Sequence, residues 1–237
     1  TYTVANISSM VGPRPNAEGL SAGWSLFVIY EDPVLPAKYI TSFDGFTKIT
    51  STINETIPIS GFNTIPVGPV RAKFAFSTIE GDRQYTGDYL RINGTTISAT
   101  NNAGTVIRPG NNFFNSTVSI IDPVTNTPEL FNLRNPNSSN TLGFDSGILN
   151  LPNPGNSLIA NNATSATIRL GSNLDIYYFY FSAFAIEIIA PNIVLTKIVE
   201  DDAGNNIGGQ TVGLDQPLNY IIGFQNTGND DATNFQI

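Results

Sequence analysis

The 237-residue chain has 11 Lys and Arg scattered singly against 19 Asp and Glu, a net charge of −8, so it lacks the clustered basic face that nucleic acid requires. It contains neither Cys nor His, which excludes disulfides, thiolate nucleophiles, Cys-type zinc sites and imidazole bases or metal ligands, and with them most enzyme chemistries. Hydrophobic residues make up 41% and charged residues only 13%, enough for a packed core under a surface of Asn, Thr, Ser, Gly and Pro that suits an extracellular β protein.

In chain order, Thr1-Tyr2-Thr3-Val4 is already strand-like and lacks the charged start and apolar core of a signal peptide, so the expectation is a chain trimmed or cut at its beginning. Helical periodicity is interrupted everywhere by Pro, Gly or β-branched residues, and the chain reads as nearly all β. Strands are expected at Tyr2 to Ile7, Ser25 to Tyr30, Tyr39 to Ile49, Glu55 to Ser60, Val70 to Ile79, Tyr89 to Ile92, Thr95 to Ser98, Ser116 to Ile121, Ser165 to Leu170 and Ile176 to Ile189. Gly-Asp, Asn-Gly, Asn-Pro and Pro-Gly turns between them suit a large β-sandwich of Greek-key or jelly-roll type. The continuous apolar run Leu26 to Tyr30, headed by Trp24, reads as a central strand with the tryptophan as a core anchor. The run from Ile176 to Ile189 reads as a second central strand, since it holds Glu187 and falls short of the roughly 20 residues of a membrane helix. Asp122 to Ala163, rich in Asn, Pro, Ser and Thr, reads as long ordered loops capping one end.

Pro191 fixes its φ and biases Ala190 to extended geometry, which places a stiff boundary between a sandwich over 1–190 and a second β module over 191–237. In the second module Val194 to Val199 alternates, Asp201 to Asn206 is a turn cluster, and Leu218 to Phe224 is another apolar run closed by Asn226-Thr227-Gly228-Asn229. Ala232 to Ile237 opens a further alternation. Too few strands are present for an independent unit, so the expectation is the start of an immunoglobulin-like repeat in a longer polymer whose modules bear load in series.

Gly23-Trp24-Ser25-Leu26 with Tyr30 and Pro33, Asp44-Gly45-Phe46, Glu80-Gly81-Asp82-Arg83, Thr86-Gly87-Asp88, Asn111 to Ser116, Asn135-Pro136-Asn137, Leu142 to Asp145 and Ala163 to Ala166 together resemble a domain of giant bacterial cell-surface proteins. In that family the domain precedes tandem repeats whose signature resembles Leu195-Thr196-Lys197, Tyr220 and Asn226-Thr227-Gly228. The likeness is to the large repetitive adhesins of gliding Bacteroidota, exported by type IX secretion. It implies a non-enzymatic adhesive or structural role at the bacterial cell surface. The implied partners are neighbouring modules of the same chain, adjacent subunits or surface polysaccharide, with no membrane insertion. Some surface modules of this kind form a lysine–asparagine isopeptide bond; one starting at Lys197 has no partner visible in this sequence.

Glu80, Asp82, Asp88 and Asp145, with Asp44, supply hard oxygen ligands of the kind calcium needs. The commoner origin of such Asp and Gly clusters is turn chemistry, and no other cofactor is suggested. The Asn-rich loops and Tyr177, Tyr178 and Tyr180 raise a glycan platform as an alternative to loop and core roles. Catalysis would rest on a carboxylate pair drawn from Glu31, Asp32, Asp44, Glu80, Asp82 or Asp88, or on a Ser and Lys arrangement. Gly143-Phe144-Asp145-Ser146-Gly147 has its serine one place late for a nucleophile elbow, and the reading is a non-enzyme.

Overall fold

A computed structural model describes residues 3–6, 8, 12, 23–30, 32, 35–133, 135, 137–228 and 230–236. Its strands are β1 (Lys38–Ile49), β2 (Glu55–Ser60), β3 (Ala72–Ile79), β4 (Tyr89–Ile92), β5 (Thr95–Thr96), β6 (Ala99–Thr100), β7 (Val106–Arg108), β8 (Val118–Ile121), β9 (Pro128–Leu130), β10 (Phe144–Asn150), β11 (Ser165–Gly171), β12 (Tyr177–Glu187), β13 (Ile193–Glu200) and β14 (Asn219–Asn226). A single 3-10 turn, Pro154–Asn156, is the only helical element among the described residues.

The chain is an all-β sandwich. One sheet has the order β1-β12-β3-β10-β8-β9 and the other β2-β11-β4-β5, with β6-β7 and β13-β14 as separate two-stranded ladders. Pairing is antiparallel throughout except between β10 and β8. Alternation sends Phe74 and Phe76 of β3, Leu149 of β10, and Phe179, Phe184 and Ile186 of β12 to one side of a continuous core. From the second sheet Ile59, Leu90, Ile92, Ile168 and Leu170 meet them. Each side chain of this size contributes about 1.5–3 kcal/mol by leaving water. Phe76, Phe113, Phe114 and Tyr177 interlock, with a T-shaped Phe113–Phe114 pair at 5.1 Å and Phe114 4.5 Å from Tyr177.

The apolar run beginning at Trp24 does not form a central strand. Trp24 is 54% exposed and Tyr30 74% exposed, so the tryptophan is no core anchor. Residues 23–30 lie as a strap across the outer face of the six-stranded sheet, where small residues such as Ala75 and Ala183 stand in register and leave room. The strap turns Ser25 and Phe27 inward: Ser25 Oγ shares hydrogen bonds with Ser77 Oγ at 2.9 Å and Tyr180 Oη at 2.8 Å, and the Phe27 ring stacks on Phe181. Sheet bonding is already complete at β3 and β12, which flank each other and two further strands, so a run of eight apolar or small residues finds no ladder to join.

Asp122 to Ala163 is not simply capping loop, because β10 within it is an interior strand between β3 and β8. Gly147 conceals it in the sequence; a Cβ there would overlap the Ser119 hydroxyl and press on the Phe76 ring. Residues 3–6 take no strand, and neither do 230–236, where Asn234 turns left-handed at φ 58° and breaks the alternation. Tyr2, Ile7, Glu31, Pro33, Pro136, Asn229 and Ile237 lie outside the described residues.

β13 and β14 pair with each other over eight positions, from Ile193 opposite Asn226 to Glu200 opposite Asn219, and share no ladder with the sandwich. Their connection opens with an Asx turn in which the Asp201 carboxylate accepts from the amides of Ala203 and Asn205.

Candidate functional site

Three loops converge at one end of the sandwich: residues 80–88 between β3 and β4, 109–117 between β7 and β8, and 172–176 between β11 and β12. The Gly87 amide donates to Asn111 O at 2.6 Å, and the Asn173 amide donates to Gly87 O at 2.9 Å, which ties all three together.

Their anchor is a buried ion pair. Arg108 and Asp145 are both fully enclosed, with Nη1 2.9 Å from Oδ1. Arg108 also donates to Phe113 O at 2.7 Å, Thr117 O at 2.8 Å, Ser146 O at 3.2 Å and Ser119 Oγ at 3.1 Å, and its guanidinium lies 4.8 Å over the Phe76 ring. Asp145 accepts in turn from the amides of Ser116 at 2.7 Å and Thr117 at 3.0 Å. Burial pushes the Asp145 carboxyl up while the facing Arg108 charge pulls it down. The pair pins the 109–117 loop to β10, so Asp145 is a structural centre and has no free oxygen for a cation.

Above it runs Glu80-Gly81-Asp82-Arg83. Glu80 is left-handed at φ 75°, and a Cβ on Gly81 would overlap both Asp145 Oδ2 and the Phe114 carbonyl, so glycine is required at this crossing. Glu80, Asp82, Arg83, Tyr85, Asn140 and Leu142 line a cleft of ≈ 320 Å³. Arg83 Nη1 closes one side by donating to Ser139 Oγ at 3.0 Å. The cleft offers carboxylate acceptors, a guanidinium, an amide and the 60% exposed Tyr85 ring.

Asp88 lies next to this crossing and is fully buried. Its Oδ2 accepts from the Phe114 amide at 2.6 Å, and its Oδ1 has no hydrogen-bond partner. Burial first, and Asp145 in addition, push its carboxyl up to about 6. Asp175 is 5% exposed, with Oδ1 accepting from the Ile176 amide at 2.9 Å and Oδ2 unpartnered. Burial, followed by the like charge of Asp88, raises it to about 7.

Of the four carboxylates expected to share a cation, Glu80 and Asp82 thus sit on the cleft, Asp88 is enclosed and Asp145 is committed to Arg108. Asp44 is exposed on edge strand β1, beside the bulge between Asp44 and Thr47, in a separate groove with Phe43, Glu55 and Ile57. Among the described residues no three His, Cys, Asp or Glu side chains stand close enough to hold a metal by themselves. Tyr177 is core, with its hydroxyl donating to Gly171 O at 3.4 Å, while Tyr180 serves the strap. Lys197 Nζ lies 4.6 Å from the Tyr220 ring centroid. Arg108 and Asp175 escaped the sequence reading, whereas Asn112 entered it among the Asn-rich loops; the signal for the first two is a lone charge set in an apolar run, Val106-Ile107-Arg108 and Leu174-Asp175-Ile176.

No protein-family model matches the chain, and no curated protein or solved structure matches it at a significant level. The class defined by the fold is an all-β sandwich with an appended β-hairpin, and no narrower family is shown. No helix among the described residues is long and apolar enough to cross a membrane.

Proposed function

We propose that the chain is a non-enzymatic segment of a long extracellular protein of the bacterial cell-surface adhesin type, acting in attachment or surface contact. The observation that carries this reading is the β13–β14 hairpin. Leu195 is 57% exposed, its ladder partner Phe224 is 61% exposed although the Phe235 ring lies 5.3 Å from it, and Ile198 and Tyr220 are also exposed, so among the described residues no further sheet covers the apolar side chains of this two-stranded ribbon. A ribbon of that kind needs further strands to be stable, as a module in a serial array would supply. The adhesin resemblance assigns the same segment to the opening of a repeat.

The cleft formed by Glu80, Asp82, Arg83, Tyr85 and Asn140 is the contact surface we assign to surface polysaccharide, since it combines donors, acceptors and one exposed ring. Each contact would be weak, and many in parallel would supply avidity. A filament subunit that adds a strand to its neighbour is the second reading, favoured by the outer edge of β14, which carries no ladder partner among the described residues, whereas that of β13 is engaged at Val199 and Glu200 by Ile207 and Asn206.

The test is to display the chain densely on beads and measure retention on intact bacterial cells and on immobilised polysaccharides. Retention by coated beads, abolished by Arg83→Ala with Tyr85→Ala and weak for the free monomer, is expected. Equal retention of coated and blank beads on every surface disposes of the adhesive reading. Electron microscopy of the concentrated chain separates the filament reading, which discrete particles would end.

A further inference from the structure

The loop end of the sandwich has an unbalanced charge. Three carboxylates, Asp88, Asp145 and Asp175, are buried there against one buried cation, Arg108, which Asp145 occupies. Glu80 and Asp82 add negative charge toward Asp175. Three enclosed oxygens around the joined loops are acceptors with nothing to accept: Asp88 Oδ1, Asp175 Oδ2 and Asn112 Oδ1. Asn112 is 8% exposed and its Nδ2 is committed to Arg83 O at 3.2 Å, which leaves its oxygen as the unserved atom. Buried acceptors without donors are costly and rare, and three at one junction point to a missing positive partner.

We propose that these oxygens form a calcium site in which Asp88 and Asp175 supply the charge, Asn112 a neutral oxygen, and water the rest of the coordination sphere. The chemistry selects the ion. All three donors are hard oxygens, and two carboxylates neutralise one divalent charge. The backbone holds the donors close: Gly87 bonds to Asn111 on one side and Asn173 on the other, and a Cβ at Gly87 would crowd the Leu174 amide. Asp175 and Asn112 keep a trace of exposure, which places the junction just beneath the surface. This set differs from the one the sequence suggested, since Asp145 is replaced by Asp175. With only two charged ligands the affinity belongs to the weak, extracellular class, with Kd on the order of 10⁻⁴–10⁻³ M.

The experiment is a calcium titration of the chelator-treated chain by calorimetry, together with Tb³⁺ luminescence sensitised by Tyr177, whose ring lies among these loops. One-site binding in that range is expected, with Tb³⁺ emission displaced by calcium and magnesium a poor competitor. Asp175→Asn is expected to weaken calcium by at least about tenfold while raising the melting temperature of the calcium-free chain, because it removes a buried like charge. Asp202→Asn, at an exposed turn away from these loops, is the control expected to change neither. No heat and no melting shift up to 10 mM calcium, from a folded wild-type chain, overturns the site. Undiminished calcium binding by folded Asp175→Asn overturns it equally. A melting temperature that responds to acid but not to calcium also overturns it, and shows the two carboxylates holding a proton instead.

Discussion

At the residue scale, Arg108 and Asp145 decide whether the loop end is ordered at all. The pair is not symmetric in its response to mutation. Asp145→Asn strands a guanidinium that cannot give up its proton in the core, whereas Arg108→Met strands a carboxylate that can take one up. Asp145→Asn is expected to cost about 3–5 kcal/mol in denaturant unfolding at any pH between 5 and 8. For Arg108→Met the folded-state pKa of Asp145, already raised by burial, rises further when the facing charge is lost. A raised carboxyl binds its proton more tightly in the folded state, so stability is present at low pH and lost as pH climbs through the folded value. The variant should therefore be least stable at pH 8 and recover toward pH 5. A flat profile would mean that Asp145 stays ionised without its partner. None of this was legible in the sequence, where Arg108 is one of 11 scattered basic residues and Asp145 looks like a turn residue.

At the element scale, strands whose alternation covers a core and whose ends carry turn residues were readable. β2 and β4 match their expected bounds, and β1, β3, β11 and β12 fall within a few residues of theirs. Hydrophobic period is the physical cause, because a half-buried strand must alternate to bury one face. β10 failed that criterion because its central position is glycine, forced by the approach of Ser119 and Phe76. The strap failed in the opposite direction: apolar composition suggested burial, but composition does not say whether a ladder is free to receive the run. Gly147→Ala is expected to destabilise the sandwich by about 1–3 kcal/mol despite alanine's greater stiffness in the unfolded chain, as measured by a shift in urea midpoint. Unchanged stability would show that β8 can move aside.

At the scale of the whole molecule, the sandwich and the hairpin should differ in stability. The sandwich has one continuous aromatic core, and the hairpin has exposed apolar residues and solvent-facing backbone bonds. Amide hydrogen exchange is expected to be slow in β3 and β12 and faster by orders of magnitude in β13 and β14, since local opening follows buried contact density. Equal protection in both would mean that the hairpin is already covered. The candidate site was partly legible at this scale. Glu80, Asp82 and Asp88 were found because turn-forming acidic residues cluster along one short stretch, whereas Asp175 arrives from a distant loop that only the topology brings near.

The register of β1 on β12 bears on how the molecule meets force. Lys38, where the sandwich ladder begins, stands opposite Glu187, where it ends, and the two side chains are 3.9 Å apart. Tension entering through the two flanks arrives at the same rung of one antiparallel pair, so once the strap lets go the strands are peeled apart rung by rung and not sheared along their length. Peeling breaks bonds singly and needs little force. Pulling between residues 38 and 187 is therefore expected to open β1 from β12 at low force, starting at this rung.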